Sequence, residues 1–206
     1  MTLRRYDELE DRFVDWLQSH MQSAVGPLFV GIDGRSGTGK STLAAHACER
    51  LDDLVAIEGD QFYAGGSAAT WDSRSVAERA NNVIDWRRQR VVLQSLRQTG
   101  QASWRSFDWE AEDWDSDTVP LVDGTTEIAA RAVVLLEGAY SCRPELHDML
   151  DHRVLLNPPA ELRRQQLLAR EGEAYRNDWE SRWAAAEDHY FGQVMPNHRF
   201  DLVLGA

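Results

Sequence analysis

The stretch Gly34-Arg35-Ser36-Gly37-Thr38-Gly39-Lys40-Ser41 carries the spacing G-x-x-x-x-G-K-[ST], the pattern of a loop that wraps phosphate. Lys40 is the one lysine of a 206-residue chain that otherwise uses 21 arginines for positive charge. A compact ammonium on a flexible stem fits between the β- and γ-phosphates of a nucleotide, where a rigid planar guanidinium does not. The flanks have the order such a loop needs. Leu28-Phe29-Val30-Gly31-Ile32-Asp33 reads as a short buried strand, and Ser41-Thr42-Leu43-Ala44-Ala45-His46-Ala47-Cys48 as the start of a helix. Glycines let the backbone N–H groups turn inward around the β-phosphate, and the helix N-terminus adds partial positive charge. On this reading Gly34, Arg35, Ser36, Gly37, Thr38, Gly39, Lys40, Ser41 and Thr42 bind a nucleotide, with the Ser41 hydroxyl turned to Mg²⁺.

Outward from the loop, apolar runs alternate with helical patterns. Tyr6, Leu9, Phe13, Trp16, Leu17 and Met21 stand at helical spacing over residues 3–22, so an amphipathic helix precedes the first strand. Its apolar face either covers the sheet or makes a homodimer. Leu54-Val55-Ala56-Ile57 is a second strand that ends at Glu58-Gly59-Asp60; residues 86–98 form a helix that Asp85 can cap and Gly100 can end. Ala132-Val133-Val134-Leu135-Leu136 is the continuous apolar run of a strand buried on both faces, leading into Glu137. Further strands are expected at Arg153–Leu156 and Asp201–Leu204, with helices over 159–171 and 178–194. This alternation predicts an α/β fold: three α/β/α layers around a mostly parallel five-stranded sheet, in one domain over residues 1–206. Residues 100–130, where polar alternation replaces the pattern, read as an inserted hairpin over the site. In parallel sheets ligands collect at the carboxyl ends of strands, where Asp33, Asp60 and Glu137 all stand.

The bulk numbers narrow the class. A formal charge of −12 disfavours nucleic acid as a partner and leaves a small molecule as the expected ligand. The N-terminus lacks the apolar run of a signal peptide and no stretch approaches a membrane span, so a cytoplasmic protein without membrane contact is expected. Cys48 and Cys142 are too few for a disulfide framework and lack metal-ligand spacing; both read as buried, reduced thiols.

Two acids could carry chemistry. Asp60, beside the loop, can accept a hydrogen bond from an acceptor hydroxyl and orient it for in-line attack, or help to hold Mg²⁺. Glu137, at a strand end, can face the same metal directly or through water. A turn-forming aspartate and an ordinary strand-end acid are the plain alternatives.

Gly31-Ile32-Asp33-Gly34 running into the loop, Gly59-Asp60-Gln61-Phe62-Tyr63, Asp85-Trp86-Arg87, Phe107-Asp108-Trp109, Leu136-Glu137-Gly138 and Phe200-Asp201-Leu202-Val203 together resemble the uridine kinase and phosphoribulokinase family of P-loop small-molecule kinases. The resemblance runs from about residue 28 to 204, and its specific element is the phosphate loop. It implies Mg²⁺-assisted transfer of a phosphoryl group from ATP to a hydroxyl. It implies a catalytic role for Asp60 beside Lys40, a metal role for Glu137, a ribose contact for Asp85 and a lid arginine at Arg170 that touches the phosphates. Tyr63, Phe107 and Trp109 fall on the acceptor side. At the position where the family has a histidine for the base, this chain has Glu112, and its lid, about residues 170–178, is short, with Arg176 as a second lid candidate or a surface charge.

The stretch from Asp108 to Asp117 holds six acids with Trp109 and Trp114. Such a loop either repels a phosphorylated acceptor or is a solvated hairpin that touches nothing. Trp71, Trp86, Trp104, Trp109 and Trp114 fall near the acceptor side, where aromatic faces stack a base or sugar or simply pack. A nucleoside or nucleoside-like acceptor leads, with another neutral or amine-bearing compound (sugar, vitamin, antibiotic) or a non-catalytic ATP-binding module as alternatives. A GTPase needs an N-K-x-D motif, which a chain with no second lysine cannot contain.

Overall fold

The computed structural model describes residues 3–113, 115–172 and 180–205. Helix α1 (Leu3–Met21) leads to strand β1 (Leu28–Asp33), the phosphate loop and helix α2 (Lys40–Arg50). Strand β2 (Leu54–Glu58), a 3₁₀ turn at Gly59–Phe62 and helices α3 (Ala68–Ser73), α4 (Val76–Asn82) and α5 (Trp86–Thr99) follow. Strands β3 (Gln101–Trp104) and β4 (Thr126–Ala129) form an antiparallel pair of their own. The chain then returns through β5 (Val133–Glu137), β6 (His152–Leu156), helices α6 (Ala160–Glu171) and α7 (Glu180–His189), and β7 (Leu202–Leu204).

Five strands make one sheet in the order β2-β5-β1-β6-β7, and every pairing in it is parallel. The apolar run of β5 explains why it lies inside: Val133 and Leu135 pack toward α1 and α2, while Val134 and Leu136 pack toward the opposite layer. Register then aligns the functional ends. Ile32 of β1 and Glu58 of β2 both sit opposite Glu137, so the phosphate loop, Glu137 and the turn bearing Asp60 emerge in one row.

Leu9, Phe13, Val14 and Leu17 of α1 are buried with Val30, Ile32, Val133 and Leu135. That apolar face covers the sheet, which removes it as a surface for a second copy. The hairpin is anchored on the turn after β2: the Trp104 indole and the Ser106 hydroxyl both donate to Gln61 Oε1, and the Phe107 N–H donates to the Gln61 carbonyl. Of the two cysteines, Cys142 is buried, but Cys48 is exposed on α2, contrary to the expectation of two buried thiols. Among the described residues no helix is long and apolar enough to cross a membrane.

Asp33, expected among the ligand-side acids, instead organises the backbone. It is fully buried, and its Oδ1 accepts the N–H groups of Gly34 (2.8 Å) and Tyr140 (2.9 Å). Its Oδ2 accepts the Cys142 N–H (2.9 Å) and the Tyr190 hydroxyl (2.8 Å). These bonds tie the start of the phosphate loop to the turn after Glu137, where Tyr140 holds a left-handed backbone with φ of 69°. Removing the carboxylate would leave several buried donors without partners. Asp33→Ala is therefore expected to lose about 3 kcal/mol or more in urea unfolding; a loss below about 1 kcal/mol would show that these four bonds do not hold the two turns.

Candidate active site

The phosphate loop turns on two glycines in the left-handed region. Gly39 (φ +91°) hands the chain into α2, so that helix begins at Lys40 with its free N–H groups facing the loop. Gly37 (φ +76°) packs so close to α6 that a Cβ there would fall 2.4 Å from Leu167 Cγ. The Lys40 ammonium is nearly buried and donates to the Arg35 carbonyl at 3.0 Å, an oxygen that also accepts the Thr38 hydroxyl at 2.9 Å. Lys40 thus spans the mouth of the loop, where phosphate oxygens can replace the carbonyl. The Arg35 side chain turns away: it pairs with Asp188 at 2.7 Å and lies over the Phe191 ring.

A cavity of about 190 Å³ opens above the loop. Ser36, Gly37, Gly39, Lys40, Ser41 and Thr42 of the loop line it, together with Asp60, Glu137 and Arg170 and the largely apolar and aromatic set Tyr63, Val83, Ile84, Trp109, Tyr140 and Trp183. Glu187 completes the wall. The cavity brings together Lys40, Ser41, Asp60, Tyr63, Trp109, Glu137 and Arg170 from the sequence reading. Asp85 and Glu112 stay outside. Asp85 accepts the N–H groups of Arg87 and Arg88 as the cap of α5 and borders a separate shallow groove; Glu112 is exposed on the loop between β3 and β4. Arg176, Trp114 and most of the expected lid lie outside the described residues.

Burial pushes the Glu137 carboxyl up to about 7, Asp60 and Glu58 push it further, and Lys40 and the Ser41 hydroxyl oppose them. A buried acid so short of positive charge is matched to a divalent cation. Ser41, Glu137 and the exposed Asp60 offer only hard oxygen donors, and the described residues contain no cluster of three or more acids, histidines or cysteines that could cage a metal alone. That set fits Mg²⁺, which is held by one or two carboxylates plus substrate phosphates.

Phe107 is buried rather than facing ligand. Its ring meets Tyr63 at 4.9 Å and Trp109 at 4.7 Å, and Tyr63 stacks on Trp109 at 4.8 Å. Half-exposed Trp109 also lines the cavity. Trp71 packs against Trp183 and Tyr63, Trp104 lies against Phe62, and Trp86 sits under the guanidinium groups of Arg87 and Arg143. Three of the six acids of the 108–117 stretch accept hydrogen bonds from the fold itself. Asp117 caps α3 through Ser67 and Thr70, Asp113 accepts the Thr118 hydroxyl, and Asp108 accepts the Glu110 N–H. Tyr140, Trp183 and Glu187 line the cavity without any signal in the sequence reading; each stands in an ordinary turn or helix pattern.

Glu137 gives a pH test. Its folded-state pKa of about 7 exceeds the usual 4.5, so the folded protein holds a proton that the unfolded chain releases. The stability this contributes is complete below the unfolded value and is lost as pH rises through about 7. In metal-free protein Glu137→Gln should therefore be more stable than wild type at pH 8, by roughly 2–3 kcal/mol, with the gap closing toward pH 4.5. Thermal unfolding across that range measures it, and a gap that does not change with pH would contradict the assignment.

No family model matches the chain. A uridine kinase of Clostridium tetani is 26% identical over 140 residues, which cover 66% of this chain and 64% of the relative, less than two thirds of its length. Among solved structures, one described as a possible uridine kinase from Bacillus stearothermophilus superposes with a TM-score of 0.68 at 23% identity, covering 95% of this chain and 98% of its own. A D-glycerate 3-kinase from Cryptococcus neoformans superposes with a TM-score of 0.58 at 14% identity, covering 97% and 89%. With the order of motifs and the sheet topology already described, these likenesses make the chain similar to the uridine kinase and phosphoribulokinase-like P-loop kinases.

Proposed function

We propose that the protein transfers the γ-phosphoryl group of ATP to a hydroxyl of a small molecule. The observation that carries this is the convergence of Lys40, Ser41, Asp60, Glu137 and Arg170 on one cavity whose remaining lining is largely aromatic and apolar. The loop N–H groups and Lys40 hold the phosphates, and Arg170 faces the charge that spreads over the transferred group. Asp60, on the turn after β2, orients the acceptor hydroxyl and takes its proton as the bond from oxygen to phosphorus forms and the bond to the β-phosphate bridge breaks. Ser41 and Glu137 would hold Mg²⁺, whose charge offsets that of the phosphates. Positioning and electrostatics supply most of the rate.

The uridine kinases among the relatives support a nucleoside acceptor. A specific observation favours a second reading. Phe107, Tyr63 and Trp109 pack on one another, so no slot for a base lies between them, and beyond the loop the described residues that line the cavity include no amide, histidine, serine or threonine side chain to read a base edge. A neutral or amine-bearing hydroxyl compound packed against the aromatic lining of the cavity satisfies the same wall.

Acceptor-dependent ADP release with Mg·ATP decides between them across nucleosides, neutral sugars and vitamins, and amine-bearing sugars or nucleosides. Turnover with one group is expected, abolished by Lys40→Ala and reduced about 10²–10⁴-fold by Asp60→Asn. ATP binding with no acceptor-dependent release in any group would favour a non-catalytic ATP-binding module.

A further inference from the structure

Glu187 of α7 is only 3% exposed, and its surroundings include the buried Ala186, Trp183 and Tyr190. A carboxylate is not left in such a place without partners, because burying its charge alone is costly. Its partners are unusual. Oε1 accepts the backbone N–H of Ser36 in the phosphate loop at 2.7 Å, and Oε2 lies 3.4 Å from Arg163 Nη1 and 3.9 Å from Arg35 Nη1. Arg163, on α6, also donates to the Ser36 carbonyl at 3.3 Å.

Both backbone groups of Ser36 are therefore held from outside the loop, the N–H by α7 and the carbonyl by α6. These two helices stand on either side of the segment that the sequence reading assigns to the lid. The next residue, Gly37, lies flush on Leu167 of α6 and has no room for a side chain. The Asp188 pair, by contrast, runs through the Arg35 side chain and leaves the loop backbone alone.

We propose that Glu187 is a positioning residue for the donor nucleotide. It fixes Ser36 between α6 and α7, so that phosphates seated in the loop and these two helices behave as one unit. Charge-assisted bonds to a buried carboxylate are strong and directional, which suits a joint that must not slip. The proposal rests on the reading of the loop as a nucleotide site, and it needs no acceptor.

The test is Mg·ATP binding by calorimetry, with amide hydrogen exchange over α6 and α7, in wild type, Glu187→Ala and Glu187→Gln. Glu187→Ala is expected to weaken Mg·ATP binding about tenfold and to lose the protection that the nucleotide gives both helices in wild type. Glu187→Gln keeps an oxygen for the Ser36 N–H and should recover affinity to within about threefold, whereas Glu187→Met, which fills the same space without an oxygen acceptor, should stay as weak as Ala; equal recovery by Met would show that packing alone is at work. Wild-type affinity and protection in Glu187→Ala overturn the proposal, as does a Gln variant that binds no better than Ala. Should Glu187→Ala fail to fold, Arg163→Met carries the test: it removes the hold of α6 on the Ser36 carbonyl and one of the two guanidinium groups beside Glu187, and it leaves the Glu187 carboxylate to accept the Ser36 N–H. Loss of nucleotide-induced protection in α6, with that of α7 kept, is then expected, and protection equal to wild type in both helices overturns the proposal. Wild-type protein that takes no nucleotide sinks the site reading and the clamp together. Wild type that binds Mg·ATP but phosphorylates nothing strikes only the kinase reading and leaves the clamp to be judged on its own data.

Discussion

Four hydrogen bonds on the buried Asp33 carboxylate decide where the active-site backbone lies. The phosphate loop leaves β1 immediately after this residue, and the turn that follows Glu137 folds back onto it through the Tyr140 and Cys142 N–H groups. Tyr190, just beyond α7, adds its hydroxyl. Three segments far apart in sequence are thereby fixed to one point between β1 and β5. The left-handed Tyr140 is tolerated because its N–H is held there, a local strain kept in place by its surroundings. Burial raises the Asp33 pKa even though its hydrogen bonds and Lys40 act to lower it; both of its oxygens are already occupied by these four donors.

The site contains three buried carboxylates that solve one problem in different ways. Asp33 is satisfied by backbone and hydroxyl donors, and Glu187 by a loop N–H flanked by two arginines. Glu137 has less. Lys40 and Ser41 act on it, but Asp60 and Glu58 oppose them, and its pKa rises to about 7. The incomplete compensation falls on the residue best placed to meet a cation arriving with phosphate. In a chain of formal charge −12, the loop holds two cations, Arg35 and Lys40; Arg35 is paired with Asp188, which leaves Lys40 and Arg170 as the basic residues that line the cavity among the described residues.

Much of this was legible in the sequence, for physical reasons. Buried parallel strands are continuous apolar runs, and β5 was read from Val133 to Leu136 because both of its faces are covered. The loop declared itself through spacing and through its lone lysine. Asp85 shows where such reading divides: the same residue can cap a helix or touch a ligand, and in the structure its carboxylate is used by the first N–H groups of α5. The acids of 108–117 looked like a charged lip over the site, but Asp108, Asp113 and Asp117 serve as turn and cap acceptors. Cys48 was misplaced because a helical position alone does not say which face is covered. Glu187 was invisible, since its contact with Ser36 joins residues 151 positions apart and neither lies in a pattern that points to the other.

The same limit applies to the acceptor, and it follows from how the fold is built. The donor part of the cavity lining is made by one contiguous loop whose chemistry is dictated by phosphate, so its residues are constrained together and can be read together. The aromatic and apolar lining is assembled from Tyr63 after β2, Val83 and Ile84 after α4, Trp109 in the loop between β3 and β4, Tyr140 after β5 and Trp183 on α7. Each is an ordinary core or turn residue by its local pattern, and only their convergence makes a surface. The three-ring packing of Phe107, Tyr63 and Trp109 changes what that surface can hold: Tyr63 stacks on Trp109 and Phe107 meets both edge-on, so no slot opens between the three rings. What the cavity can hold follows from how these rings pack on one another, a property that no single motif records.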